Sequence, residues 1–456
     1  MSRATVGAVS AAHRLPAISR WPLVGNLPEF RRDRVALFQR VRRECGDLGA
    51  FHLGPRPLVV VSSPELAHAV LVGQADAFEK GPTLTRLARP VIGAGLLSLP
   101  TAAHRARRRL VQPAFVAREV AAHLSSMASD ASAALDRWPD GARIDLADEM
   151  MRLTLRLIGR ALFSVDLADA APELRHALEV LQRWVSGLLE RLVPLPLWLP
   201  TPDNLRARRA IARLDAMIFG MVKERRAHAT PHRDLLSLLV SSRADDGSGG
   251  LDDRQIRDEA MTLFVAGHET TAFALTWTLH LIAQHPHVQD RLAAEVDRVL
   301  GDRAPTADDL PRLPYTLQVL KEGLRLYPPG HTIGRVARKG LRLGDHAIPA
   351  GTIVLVSPLL LHRRADLFAQ PDAFDPDRFA PEAEARLTRH AYLPFGLGAR
   401  GCVGNHFALA ESQLVLALIA RRIRLSPDCT THPQPEMMVT LRPSGPVLAR
   451  ITRRRP

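Results

Sequence analysis

The stretch Phe395-Gly396-Leu397-Gly398-Ala399-Arg400-Gly401-Cys402-Val403-Gly404 places one cysteine in a glycine-rich turn, just ahead of the amphipathic run from Asn405 to Arg422. No second thiol lies nearby, so the turn lacks the ligand set of a zinc or iron–sulfur site. A single axial thiolate on a haem iron is the natural use of such a loop. Its glycines let backbone approach the iron-bound sulfur closely. Amide N–H groups and the start of the following helix would stabilise negative charge on the sulfur and lower the thiol pKa. Cys-x-Gly alone would as readily be a buried structural cysteine; the surrounding residues favour a ligand.

The chain has 456 residues, 46% of them hydrophobic, enough to bury a large core and enclose a group as bulky as haem. No Ser/Gly-rich linker long enough to separate two domains interrupts it, although Ser241 to Gly250 reads as an exposed loop. One large fold over 21–450 is expected, preceded by a flexible segment (1–20) and followed by a basic tail (451–456), with no repeat array. Cys45, Cys402 and Cys429 are too scattered for a disulfide framework and suit a reducing cytoplasm, with Cys45 and Cys429 as bystanders. Arg3, His13, Arg14 and Arg20 interrupt the first apolar residues, so neither a secretory signal nor a transmembrane anchor is expected there.

The formal charge of +14 raises nucleic acid and anionic membrane as partners, but aromatics are only 5% and no nucleic-acid motif accompanies the charge. No nucleic-acid partner is therefore expected. A basic face that docks an acidic electron-carrier protein is the preferred reading, beside an arginine-rich surface that reflects genome composition alone. Arg453-Arg454-Arg455 reads as a solvated terminus.

From Asp252 the pattern becomes that of a long helix, with Asp252 as N-cap, Gln255 three residues on, and Pro286 at its end or opening the next helix. In its middle stands Ala266-Gly267-His268-Glu269-Thr270-Thr271. Gly267 costs a helix about 1 kcal/mol relative to alanine, and small residues there would let a planar group lie against the backbone. Thr270 can bond a carbonyl or a ligand, and Glu269 can carry a proton; a local helix distortion with an exposed acid is the alternative.

Glu322 and Arg325 share a helical face ahead of Pro328-Pro329, and their apolar neighbours imply burial, which requires further partners; Arg378 is the candidate third member. Cations able to neutralise two haem propionates are His104, Arg108, Arg335 and Arg400. The run Arg105 to Arg109 points charge to every side of a helix, so only part of it can reach one group. Pro57 to Val61 reads as a strand, and Ala347 to Val356 as a hairpin with a Pro-Ala-Gly turn. The expected class is mainly α with a small β region (α+β).

These residues together resemble the cytochrome P450 superfamily, from about Trp21 to Pro446. Phe395, Gly398, Arg400, Cys402 and Gly404 match its haem-loop pattern Phe-x-x-Gly-x-Arg-x-Cys-x-Gly in full, and the Ala266–Thr271 segment, the Glu322/Arg325 pair and Arg378 occur in the family's order. The resemblance implies a single fold with haem b between the long central helix and the cysteine loop. It makes Cys402 the metal ligand and places Phe395 near the ligand loop. Glu322, Arg325 and Arg378 become a structural triad, and His104, Arg108, Arg335 and Arg400 contacts for the propionates. Glu269 and Thr270 become an acid–alcohol pair that guides protons during dioxygen activation. His268, between Gly267 and Glu269, is expected to be neutral, in a surface or supporting role rather than as a ligand. Leu99 to Ala103 lack the acidic and glycine residues of relatives.

The implied reaction is monooxygenation, with electrons from NAD(P)H arriving through separate proteins, a ferredoxin or flavodoxin and its reductase. Trp21 to Pro28 resembles the entry segment of membrane-bound relatives without their anchor, which implies a soluble, cytoplasmic, bacterial-type protein. The resemblance also lines a substrate pocket with Ile92, Leu96, Trp184, Leu188 and Phe264, and with Ala266, Ile333, Met437 and Met438. Such a pocket suits a lipophilic terpene, fatty acid, steroid or polyketide. Leu192 to Pro200 reads as an access lid that could touch a membrane transiently. A peroxide-driven haem-thiolate enzyme and a haem sensor without turnover are the rival readings; neither needs Glu269 with Thr270.

Overall fold

The computed structural model describes residues 15–167, 171–227, 234–242 and 250–454. Its long helices are α1 (Arg34–Cys45), α2 (Thr101–Val111), α3 (Ala117–Asp136), α4 (Leu146–Phe163), α5 (Ala171–Leu189), α6 (Pro202–Ala227), α7 (Asp253–Gln284), α8 (Pro286–Leu300), α9 (Pro314–Leu326) and α10 (Asn405–Arg422). The strands are β1 (Leu48–Leu53), β2 (Arg56–Val61), β3 (Phe78–Lys80), β4 (Arg143–Asp145), β5 (Ile333–Ala337), β6 (Leu341–Leu343), β7 (His346–Ile348), β8 (Ile353–Val356), β9 (Ile423–Pro427), β10 (Pro435–Met437), β11 (Leu441–Pro443) and β12 (Leu448–Arg453). Helix dominates and the sheets are small, as the sequence class requires.

The axis of the molecule is α7. Asp252 accepts from the Gln255 amide while Gln255 caps the Asp252 N–H, a reciprocal capping box that fixes where the helix starts. Pro286 then opens α8, where its missing N–H leaves no bond unmade. Ile256, Ala260, Leu275, Trp277 and Leu279 of α7 are buried, and α3, α4, α9 and α10 pack round it into one apolar core. A smaller apolar cluster lies under the five-stranded sheet, ordered β1-β2-β8-β5-β3, in which only β2 and β8 run parallel.

Three expectations are corrected. The segment Ala347 to Val356 is not a hairpin: β7 pairs with β6 across the Gly344-Asp345 turn, and β8 enters the five-stranded sheet between β2 and β5. The Pro349-Ala350-Gly351 turn moves the chain between sheets, with the Gly351 N–H and the Thr352 carbonyl both bonded to Ala337. The fold also starts before residue 21. Ile18 is buried and its N–H donates to the Ala50 carbonyl at 3.0 Å, while residues 1–14 lie outside the described part.

At the other end, Ile451 and Arg453 belong to β12, and Arg454 donates to Asp297 at 2.6 Å, so that stretch is held rather than solvated; residues 455–456 lie outside the described part. Most of the Ser241–Gly250 loop, residues 243–249, lies outside it as well. No helix among the described residues is long and apolar enough to cross a membrane.

Candidate active site

The cysteine loop closes on itself before α10 begins. The Cys402 N–H donates to the Phe395 carbonyl at 2.8 Å and the Gly401 N–H to the Gly398 carbonyl at 2.9 Å. Gly398 has φ +74°, and a Cβ there would stand 2.6 Å from the Leu71 carbonyl oxygen, so only glycine is accommodated. The thiol opens into a cavity of about 400 Å³, which accounts for its surface accessibility although protein encloses it elsewhere. Burial raises its pKa, and this outweighs the lowering by the Gly404 N–H, Arg108 and Lys80. The Gly404 N–H lowers the thiol pKa as the sequence led one to expect, and a coordinated cation would lower it further.

Four elements deliver cations to the edge of this cavity. His104 and Arg108 come from α2, Arg335 from β5 and Arg400 from the cysteine loop; Lys80, from β3, was not singled out in the sequence. Arg108 donates to the Gly401 carbonyl at 2.6 Å, and Arg400 to the Leu99 carbonyl at 2.9 Å, which ties the otherwise atypical Leu99–Ala103 segment to the loop. Burial, then the charges of Arg335 and Arg400, push Lys80 down to about 7. Burial, then Arg400, push Arg335 down to about 10, and burial followed by Arg400, Arg108, Lys80 and Arg335 puts His104 at about 4. Glu79, 3.5 Å from Arg400, is a carboxylate beside them. A crowd of mutually repelling cations beside a lone thiol is a donor set for a dianionic metal-bearing group, and the two propionates and iron of a haem fit it.

The opposite wall is α7. Ala266, Glu269 and Thr270 line the cavity, and the Thr270 hydroxyl donates to the Ala266 carbonyl at 2.7 Å with the helix unbroken. Glu269 also lines a second, polar cavity of about 350 Å³ together with Asp148, His176, Gln182 and Arg442. Burial raises its carboxyl to about 7, opposed by Arg442 and a hydrogen bond with Thr440. Gln182 donates to Thr440 at 2.9 Å, so a polar chain stands at the one place where the two cavities meet along this helix.

Gly267 has a different purpose from the one expected. A Cβ on it would come within 2.7 Å of Ile158 Cδ1, so its smallness serves the close packing of α7 on α4, and Ala266 is the small residue that faces the cavity. Of the two roles expected for His268 the structure gives the supporting one: it is buried, stacked on Phe264 and bonded to the Phe264 carbonyl, and burial lowers its pKa to about 4.

Beneath the loop, Glu322 and Arg325 are fully buried and bidentate, at 2.6 and 2.8 Å. Arg325 also donates to the carbonyls of His362, Pro371 and Ala373, and Arg378 reaches Glu322 at 3.3 Å. Every face of the pair is answered, the condition under which a buried ion pair is tolerated.

Of the pocket residues expected, Ile92, Leu96, Ala266 and Ile333 line the cavity, and Trp184, Leu188, Phe264, Met437 and Met438 do not. On α5 the cavity face is Leu178, Leu181, Gln182 and Val185, and Trp184 lies about 100° round the helix from it, its indole N–H donating to Asn204 of α6. Leu188 is buried as well, about one turn beyond Val185, the last lining residue of α5. The Phe264 ring turns away to Phe163 of α4. Met437 belongs to the apolar cluster of α1 and β1, and Val439 and Thr440 present the turn to the cavity instead of Met438.

The chain matches the family model described as Cytochrome P450 over residues 15–449. It is 41% identical to cyclooctatin synthase of Streptomyces melanosporofaciens, over 87% of either chain. It is 40% identical to cyclooctat-9-en-7-ol 5-monooxygenase of the same organism, over 84% of this chain and 83% of that one, and 35% identical to pentalenene oxygenase of Streptomyces avermitilis, over 90% and 92%.

Proposed function

Because the chain belongs to the cytochrome P450 family and is a haem-thiolate monooxygenase, we propose that Cys402 would supply the sulfur ligand to the haem iron and that the substrate is a terpenoid hydrocarbon or alcohol of secondary metabolism. The observation that carries this is the cavity itself: one wall holds the thiol and the cations, while Ile92, Leu96, Val185 and Ile333 give an apolar lining beside Glu269 and Thr270. Likeness to three enzymes whose names refer to cyclooctatin, cyclooctat-9-en-7-ol and pentalenene directs the choice among lipophilic classes.

Bound haem supplies dioxygen activation, with one oxygen atom going to the substrate and the other leaving as water. Cys402 anchors the group through its sulfur. Lys80, Arg108, Arg335 and Arg400 would hold its two carboxylates, and neutral His104 would add a hydrogen-bonding nitrogen. Glu269, protonated below about 7, holds a proton at its carboxyl between the polar and the apolar cavity, and Thr270 presents a hydroxyl one residue on. The apolar lining excludes water from the substrate and orients it by shape.

Electrons originate from NAD(P)H in this reading and arrive through a ferredoxin or flavodoxin with its reductase; the net charge of +14 suits an acidic carrier. The exposed Leu192, Val193 and Trp198 between α5 and α6 suit a lid over the entrance that greasy molecules or a membrane surface could touch. Free Cys45, Cys402 and Cys429 suit a cytoplasmic setting and haem b as the non-covalent form.

The test is a spectral titration of the purified holoprotein with terpenes, fatty acids, steroids and macrolides. A low-spin to high-spin shift confined to terpenoids, with a thiolate-type carbon monoxide spectrum, is expected. Terpenoids without effect beside a fatty acid that shifts the spin state would overturn the substrate class. Turnover with hydrogen peroxide but not with reductase and oxygen would overturn the electron route.

A further inference from the structure

Part of the cavity wall is a loop, Gly93 to Ser98, whose Ser98 hydroxyl donates to the Gly93 and Gly95 carbonyls at 2.6 and 3.2 Å and whose Leu96 and Leu97 join the apolar core. Two consecutive carboxylates of α7 tie its backbone to the central helix. The Ala94 N–H donates to Asp258 Oδ2 at 2.7 Å, and the Leu96 N–H to Glu259 Oε1 and Oε2 at 3.2 and 3.1 Å. One turn along, the Thr262 hydroxyl donates to the Ile92 carbonyl at 3.1 Å. The loop lies so close to the helix that a Cβ at Gly93 would stand 1.9 Å from Asp258 Oδ1, and one at Gly95 2.1 Å from Thr262 Oγ1.

Both carboxylates are themselves held by arginines, Glu259 by one from another helix and Asp258 by its neighbour on α7. Arg107 of α2 donates to Glu259 at 3.1 Å, and Glu259 is fully buried. Arg257 donates to Asp258 at 2.9 Å and to Asp215 of α6 at 2.6 Å. Arg107 sits beside Arg108, which bonds the cysteine loop, and Ile92, Leu96 and Leu97 line the cavity. One acid thus joins the pocket wall, the central helix and the helix that carries the haem-edge cations.

We propose that Asp258 and Glu259 form a latch that sets the position of the Gly93–Ser98 loop, and through it the size of substrate the cavity accepts. They are positioning residues, since neither lines the cavity. The proposal rests on the reading of this cavity as the substrate pocket of a haem-thiolate enzyme.

The test uses holoprotein variants Glu259→Gln and Gly95→Ala, titrated with two azoles that ligate the haem iron. Imidazole needs only the metal's open side, whereas the triphenylmethyl group of clotrimazole must be accommodated by the cavity wall. Loss of one buried charge-assisted contact predicts that Glu259→Gln changes clotrimazole affinity by about ten-fold, with imidazole affinity within about two-fold and the carbon monoxide spectrum retained. Gly95→Ala lifts the loop with both carboxylates intact and should change the same ratio. Amide exchange at Ala94 and Leu96 should quicken in both variants. Parallel changes for the two azoles, or unaltered exchange at those amides, would overturn the latch. Should Glu259→Gln fail to retain haem, Gly95→Ala decides alone. A wild-type protein without the thiolate-type spectrum would refute the enzyme reading instead.

Discussion

Lys80 and Arg335 face each other as register partners across β3 and β5, two cations on one face of an antiparallel pair. Like charges directly opposite destabilise a ladder, and both line the cavity edge where carboxylates of the cofactor would lie. Burial and Arg335 depress the ammonium to about 7. Because the folded pKa lies below the ordinary lysine value, the penalty is complete below about 7 and disappears above the unfolded value. Lys80→Met is therefore expected to raise the melting temperature of haem-free protein at neutral and lower pH while speeding haem loss from the holoprotein by about ten-fold. Transfer of haem to an apoglobin measures the second effect. An unchanged transfer rate would remove Lys80 from the cofactor site.

Glu322 and Arg325 give the opposite balance, since neither awaits a ligand. Truncating one partner of a fully buried pair leaves the other charge stranded and costs about 3–5 kcal/mol. Glu322→Gln should unfold at correspondingly lower denaturant concentration, and Arg378→Leu should cost less, because its contact to Glu322 at 3.3 Å is the longer one and Arg325 keeps its three carbonyls. Equal losses from Glu322→Gln and Arg378→Leu would argue against the ranking.

Glu269 predicts a pH dependence. Its carboxyl is raised to about 7, so the proton it would carry is present below that pH and lost above it. The fraction of electrons recovered in product should fall as pH rises through about 7, and Glu269→Gln should lower that fraction and flatten the profile. The stability sign is independent of this. A carboxyl with a raised folded pKa contributes fully below its unfolded value and loses that contribution as pH rises through the folded one. Glu269→Gln should thus be no less stable than the wild type at pH above about 7, checked by thermal melts. A marked loss of stability there would mean that the ionised form is well solvated.

Much of this site could be read from consecutive residues. The cysteine loop is closed by bonds within ten positions, the α7 cap by residues three apart, and the Glu322/Arg325 pair by one helical turn. What could not be read depends on partners far along the chain. Lys80 joins the cation cluster only because a three-residue strand, too short to show a period, pairs with β5. Trp184 is as apolar as Leu181 and Val185, so composition cannot say which of them faces the cavity; the Asn204 contact across to α6 turns Trp184 away. Likewise the Pro349-Ala350-Gly351 turn looks local, yet its outcome is set by Ala337.

Gly267 allows two opposed effects to be weighed directly. In α7 interior, Gly267→Ala should gain about 1 kcal/mol of helix propensity. Its Cβ would nevertheless sit 2.7 Å from Ile158 Cδ1, a side chain only 2% exposed in the α4–α7 interface, and overpacking there costs about 1–3 kcal/mol. The clash should win, making Gly267→Ala less stable by about 1 kcal/mol in denaturant unfolding. Ile158→Val removes the clashing methyl, so Gly267→Ala introduced into that background should be neutral or stabilising, and the two changes should be coupled in a double-mutant cycle. Additive effects would place the reason for glycine elsewhere than in this contact. A loss of product yield in the double variant without loss of stability would instead point to the adjoining Glu269 and Thr270, which share the same turn of helix.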